Sequence, residues 1–161
     1  MSTVQVKTIS NLNGTEGIKI LDNGEVTFSN QPKFLARGCS NTGAGGRVLL
    51  FNQTIDYNIG SCYNSGNGRF TAPITGIYMI NFTAFFAGNT GRDFSLILIN
   101  GSSIQEYTQE QPTSGAGQGY ATCRGSMIYR LSTNDYVTIY GEGALIGSDK
   151  IYSTFSCCLV C

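Results

Sequence analysis

Histidine is absent from the 161-residue chain. That removes the Ser-His-Asp triad, the Cys-His dyad, the HExxH zinc motif and every imidazole metal ligand together. Tryptophan is also absent, and proline occurs only three times. Charged residues make up 12% of the chain, about half the usual share for a globular domain. Ten Lys and Arg balance ten Asp and Glu, so no net field draws the chain to nucleic acid or to an anionic membrane. No apolar run approaches the roughly 20 residues of a helical bilayer span, so no membrane insertion is expected. Met1–Ser10 has neither an apolar h-region nor a small-residue cleavage site, and on that start the chain is expected to be made and folded in a cytoplasm.

What the chain does have is strand texture punctuated by turns. From Tyr78 the pattern alternates, with Tyr78, Ile80 and Phe82 on one face and Met79, Asn81 and Thr83 on the other. That period of two marks a strand with one face in a core. Asn67-Gly68 and Thr75-Gly76 bracket the strand before it with residues suited to tight turns. Further strands are predicted over Phe34–Arg37, Val48–Phe51, Phe94–Ile99, Tyr120–Leu131, Tyr136–Tyr140 and Ile151–Cys161, with a long polar loop over Gln105–Gln118. Phe94–Ile99 is almost continuously apolar, as at a sandwich centre or a subunit seam. The density of turns and the lack of a helical period predict an all-β sandwich of roughly ten strands.

Residues 1–31 differ in texture. Ile18–Leu21 and Val26–Phe28 flank Asp22-Asn23-Gly24-Glu25, a hairpin signal. A lone two-stranded hairpin is marginal in water, so this arm is expected to pack against copies of itself. Gln31-Pro32 then marks a boundary, since proline biases its predecessor toward extended backbone. The domains are expected at 1–31 (β arm, anchoring or trimer packing) and 32–161 (head).

Six cysteines occur, three scattered (Cys39, Cys62, Cys123) and three clustered (Cys157, Cys158, Cys161). Neighbours in a strand point to opposite faces, so Cys157 and Cys158 do not readily bridge or share a metal. Reduced thiols packed as small hydrophobes are the first reading. A zinc site, which lacks any CxxC pair here, and disulfides between subunits are the alternatives. Asp93, Glu106, Glu110, Asp135, Glu142 and Asp149 supply carboxylates, but in no spacing distinctive of a glycosidase pair. No enzyme activity and no cofactor are expected.

Two resemblances extend this reading. Phe70, Gly76 and Tyr78, with Phe51, Asn58 and Tyr63 upstream and Phe82 downstream, look like the signature of the complement C1q globular-head family. Pro32, Phe34 and Ala36 resemble its opening run, and Ser153–Val160, containing Phe155, its terminal core strand. Ile80 stands where an aromatic is usual, and one extra residue separates Phe51 from Asn58. The resemblance implies a ten-stranded jelly roll like that of tumour necrosis factor, assembled as a homotrimer. It also implies calcium near the trimer axis in several members, for which no DxDxDG run occurs here. Separately, the stretch Gly14-Thr15-Glu16-Gly17-Ile18 and the turn after it resemble N-terminal segments of bacteriophage tail-fibre and other virion proteins; an ordinary β-hairpin is the alternative. Together the resemblances imply a non-enzymatic trimeric virion protein of a tailed phage, either a fibre head contacting host glycan or protein or a capsid decoration. Residues 1–31 would then bind other virion proteins. The alternative is a secreted C1q/TNF-like protein recognising glycan or protein ligands. On either reading Glu106, Tyr107, Glu110, Asn89 and Arg92, all assigned to loops, are the candidate ligand-facing residues.

Overall fold

A computed structural model of the chain describes residues 6–28, 30–40, 46–86, 94–109, 121–143 and 152–161, with backbone alone at 103–109 and 121. It divides into two compact units, Met1–Gln31 and Pro32–Cys161. The first is a three-stranded antiparallel sheet in the order β1-β2-β3, formed by β1 (Thr8–Ser10), β2 (Glu16–Ile20) and β3 (Val26–Thr27). The hairpin expected from the sequence therefore gains a third strand. Asn11 is the reason: its side-chain oxygen accepts the N–H groups of Asn13 and Thr15, folding the chain back so that Ile9 lies opposite Ile18.

The second unit is the expected all-β sandwich of the jelly-roll kind. Its strands are β4 (Lys33–Cys39), β5 (Arg47–Val48), β6 (Phe51–Ile59), β7 (Tyr63–Asn64), β8 (Arg69–Thr71), β9 (Gly76–Phe86), β10 (Phe94–Ile99), β11 (Ser102–Gln109), β12 (Ala121–Leu131), β13 (Tyr136–Glu142) and β14 (Thr154–Leu159). One sheet runs β12-β9-β14-β4-β6; the other runs β11-β10-β13-β8-β7, with β5 also on β13. The chain crosses between the sheets after β4, β5, β6, β8, β9, β11, β12 and β13, which gives the interleaved order of a jelly roll. Alternation along β9 sends Tyr78, Ile80, Phe82, Ala84 and Phe86 into the space between the sheets, where they meet Phe70, Val137 and Ile139 from the other side.

Two sequence expectations are corrected here. Val48–Phe51 is not one strand. The Leu49 N–H donates to the Ile139 carbonyl of one sheet, whereas Phe51 opens β6 in the other, so the chain changes sheets across this apolar run. The loop expected over Gln105–Gln118 begins later, because β11 stays paired with β10 as far as Gln109 opposite Phe94.

The two ends of the sandwich differ. At one, tight turns tie neighbouring strands. Asn100 donates to Asp135 (2.8 Å) and accepts the Tyr136 N–H, while Asp135 also accepts the Ser132 N–H. These bonds hold the Asp135 carboxyl below its usual range, the Asn100 bond foremost. Pro32 and the C-terminal residues lie at this end, where the Leu159 N–H reaches the Pro32 carbonyl. At the other end Cys39, Arg47, Phe86, Phe94, Gln109, Ala121 and Glu142 are brought level by register. The chain leaves and re-enters the sandwich there through the longer connections, 40–46, 87–93, 110–120 and 143–153.

Candidate functional site

The residues that carry the first resemblance form the interior. Phe34 stacks on Tyr63 at 4.2 Å and 2°, and meets Phe155 edge-on at 4.8 Å. Phe70 bridges Phe34 and Tyr78, and Phe51 lies 5.6 Å from Phe155. Each polar tip finds a partner, as buried hydroxyls require. The Tyr63 hydroxyl donates to the Phe51 carbonyl and the Tyr78 hydroxyl to Ile74. Asn58 clamps the turn before Tyr63, accepting its N–H and donating to its carbonyl. Gly76 has no room for a side chain, because a Cβ there would sit 2.5 Å from Leu159 and 2.9 Å from the Cys161 carbonyl. Gly125 lies opposite Phe82, whose ring occupies the space a Cβ would need.

Cys39, Cys62, Cys123 and Cys157 are buried, Cys158 is half-buried and Cys161 exposed, all as thiols without an intrachain disulfide. Among the described residues no three Cys, Asp or Glu gather into a metal set, so calcium and zinc enter no step below. Burial pushes the Cys62 thiol from 9.0 up to about 11, and raises Cys157, Tyr63 and Tyr78 as well. Between pH 9 and 11 the unfolded chain has released the Cys62 proton while the folded head keeps it. Stability therefore falls as pH rises through that window. The melting temperature is expected to drop from pH 9 upward. In the native state at pH 8, iodoacetamide should modify Cys161 first and leave the four buried thiols intact until the head unfolds. A flat melting temperature to pH 11, or early modification of Cys62, would contradict this packing.

The outer face of the five-stranded sheet is graded along the strands. Nearest Pro32 its central strands are apolar, with Ile77 and Val160, then Cys158, Met79 and Ile128 side by side, while Arg130 beside Ile77 and Lys33 beside Cys158 put charges at the flanks. Ile128 is 67% exposed and Met79 38%, although large apolar side chains in contiguous rows are uncommon on a monomer's surface. The next row mixes Tyr57 and Leu35 with Ser156, Asn81 and Ser126, and the Ser126 hydroxyl bonds Asn81 at 2.6 Å. Beyond it come Arg37, held by Asp56, and Thr154, Thr83 and Arg124. The sequence signal for this face was Met79, an apolar residue on the side of β9 away from the core. Phe94–Ile99, expected at a sandwich centre or a subunit seam, lies inside its sheet between β11 and β13.

Where the face reaches the end with long connections it opens into a concavity of about 390 Å³ lined by Thr83, Phe85, Thr122, Arg124, Tyr152 and Thr154. The Phe85 and Tyr152 rings lie 4.9 Å apart. Rings, hydroxyls and a guanidinium together suit a polar, ring-shaped ligand with an acidic group. Of the candidate ligand-facing residues, Glu106 and Tyr107 belong to strand β11, with Tyr107 opposite Leu96, and not to a loop. Asn89, Arg92 and Glu110 lie outside the described residues.

Comparison with known proteins agrees with this architecture. A family model described as the C1q domain matches residues 34–160. Complement C1q tumor necrosis factor-related protein 3 of Mus musculus is 28% identical over 124 residues, and its Homo sapiens counterpart 27%. Each alignment covers 76% of this chain and 47% of the relative, so the chain spans about half the length of these curated relatives. The solved globular domain of zebrafish complement 1qA superposes with a TM-score of 0.62 at 17% identity, covering 81% of this chain and 98% of that one. Murine APRIL superposes with 0.61 at 12%, covering 81% and 99%. These likenesses overturn the phage reading: a tail-fibre or capsid-decoration role, partnering with other virion proteins through residues 1–31, and a virion location all conflict with them. The physical source of the error is the arm itself. Its Asn-Gly turn and short strands are what any tight β-hairpin needs, and residues 1–31 lie outside the family match.

Proposed function

The chain belongs to the C1q-domain family, and from that membership we propose that it is a secreted recognition protein whose head binds glycan or protein ligands as a homotrimer. Domains of this family are non-catalytic recognition modules, and the chain is not an enzyme. The observation that carries the rest is the graded face of the five-stranded sheet. Its apolar rows around Met79, Cys158 and Ile128 suit burial against other copies of the chain, while its polar rows and the concavity beyond them suit a ligand. The secreted location rests on kinship with the complement-type relatives.

The division of labour follows the fold. Short, hydrogen-bonded turns close the end that carries Pro32. The long connections rise from the opposite end, where a rigid scaffold presents sequence that varies at little energetic cost. Arg124 and Tyr152 are the described side chains assigned to ligand contact. On an array of immobilised glycans that includes acidic sugars, the wild-type head is expected to bind a subset. Arg124→Ala and Tyr152→Ala should each weaken that binding about tenfold, corresponding to one lost charge-assisted or stacking contact, with the solution mass unchanged. Unaltered binding by both variants would remove the concavity from the site. Binding to none of the sugars would leave protein ligands as the target class.

A further inference from the structure

We propose that the N-terminal arm is completed by other copies of itself: the apolar faces of the arms pack together when the heads assemble. The arm sheet is two-faced. Register aligns Thr8, Lys19 and Thr27 on one side and Ile9, Ile18, Ile20 and Val26 on the other, with Phe28 following two residues after Val26. Ile9, Val26 and Phe28 are each more than half exposed, at 51%, 53% and 52%, and no described residue of the arm is buried. A sheet of this size has no interior of its own, and its apolar face is its main source of hydrophobic stabilisation.

The occupant is identified by three features. The face carries no charge, so it complements an identical face without an unpaired ion. The arm's exit is fixed in form, because the Asn30 side chain donates to the Glu16 carbonyl at 2.6 Å and the Gln31 N–H returns to Phe28. Finally, only residues 28–32 separate β3 from β4, a reach of roughly 20 Å when fully extended. Strand β4 lies in the sheet whose outer face is assigned to self-association, so the inference rests on the trimeric reading of the head. Once heads assemble on that face, the short connection holds the arms at an effective concentration on the order of millimolar. At that concentration, weak pairing of small apolar faces becomes the populated state.

The test uses the full chain carrying Glu25→Cys, a turn position off the apolar face, in a Cys161→Ser background. A nitroxide label on residue 25 gives distances between copies by pulsed electron spin resonance, and sedimentation equilibrium gives the mass of the same sample. The inference expects a three-chain mass with a narrow, short inter-label distance. Adding Ile18→Asn and Ile20→Asn should broaden that distance while the mass stays at three chains. A three-chain mass with broad distances, or with distances indifferent to the two asparagines, overturns the arm packing and leaves the head's assembly standing. Such a result would mean that no second arm covers the face. A one-chain mass overturns the trimeric reading, and the arm packing with it.

Discussion

Tyr78→Ala is expected to lower the unfolding free energy of the head by about 3–5 kcal/mol, against a total of about 5–15 kcal/mol for a typical domain. The size follows from what the side chain touches. Tyr78 is fully buried on β9, edge-on to Phe70 at 5.5 Å, with Tyr129 and Leu159 opposite it on the strands to either side. Its hydroxyl donates to the Ile74 carbonyl at 2.7 Å, pinning the turn that leads into β9. Truncation leaves a cavity at the centre of the aromatic cluster and orphans that carbonyl. Tyr78→Phe keeps the ring and loses the bond alone, so it should cost about 1 kcal/mol. Urea melts of the two variants measure both figures. A midpoint unchanged in the alanine variant would mean that the aromatic cluster does not hold the two sheets together.

Met79→Lys, one residue along the same strand, is expected to have the opposite character: a folded head that no longer assembles. Met79 points away from Tyr78, between Cys158 and Ile128 on the outer face. In a single chain it is 38% exposed, so a lysine there can extend into water and leave the interior untouched. In a trimer packed on this face each copy would bury an unpaired ammonium, at an effective cost of several kcal/mol per ion. The solution mass should fall to that of one chain, with a single cooperative melt retained. Ile74→Lys is the control: Ile74 is also exposed, at 48%, but it lies in the turn before β9. A three-chain mass for Met79→Lys would place the assembly surface elsewhere.

The contrast between these neighbouring residues shows where the sequence was legible. Alternation on β9 is strong because its inner face is uniformly aromatic or aliphatic, and a period of two survives any error in the boundaries. The sheet change at Leu49 was invisible, because an apolar residue crossing the core and one inside a strand look alike in sequence. Thr8–Ser10 was missed as a strand because all three side chains are exposed, so no burial periodicity marks them. Met79 was placed on the face of β9 away from the core, and alternation assigns two faces without saying what covers the second. A face covered by another copy carries only a faint trace, namely apolar residues where polar ones are expected. Glu106 and Tyr107 were read as loop because they sit in a polar stretch, yet β11 needs only backbone bonds to β10 to persist there. The concavity joins residues from β9, β12 and β14 and the turn residue Tyr152, which nothing in their spacing connects.

In the proposed function this C1q-type head works as an assembly built on the outer face of the five-stranded sheet. The most direct test is sedimentation equilibrium of the unmodified chain at micromolar concentration. The account predicts three times the 17.3 kDa chain mass. A stable mass of one chain would contradict it.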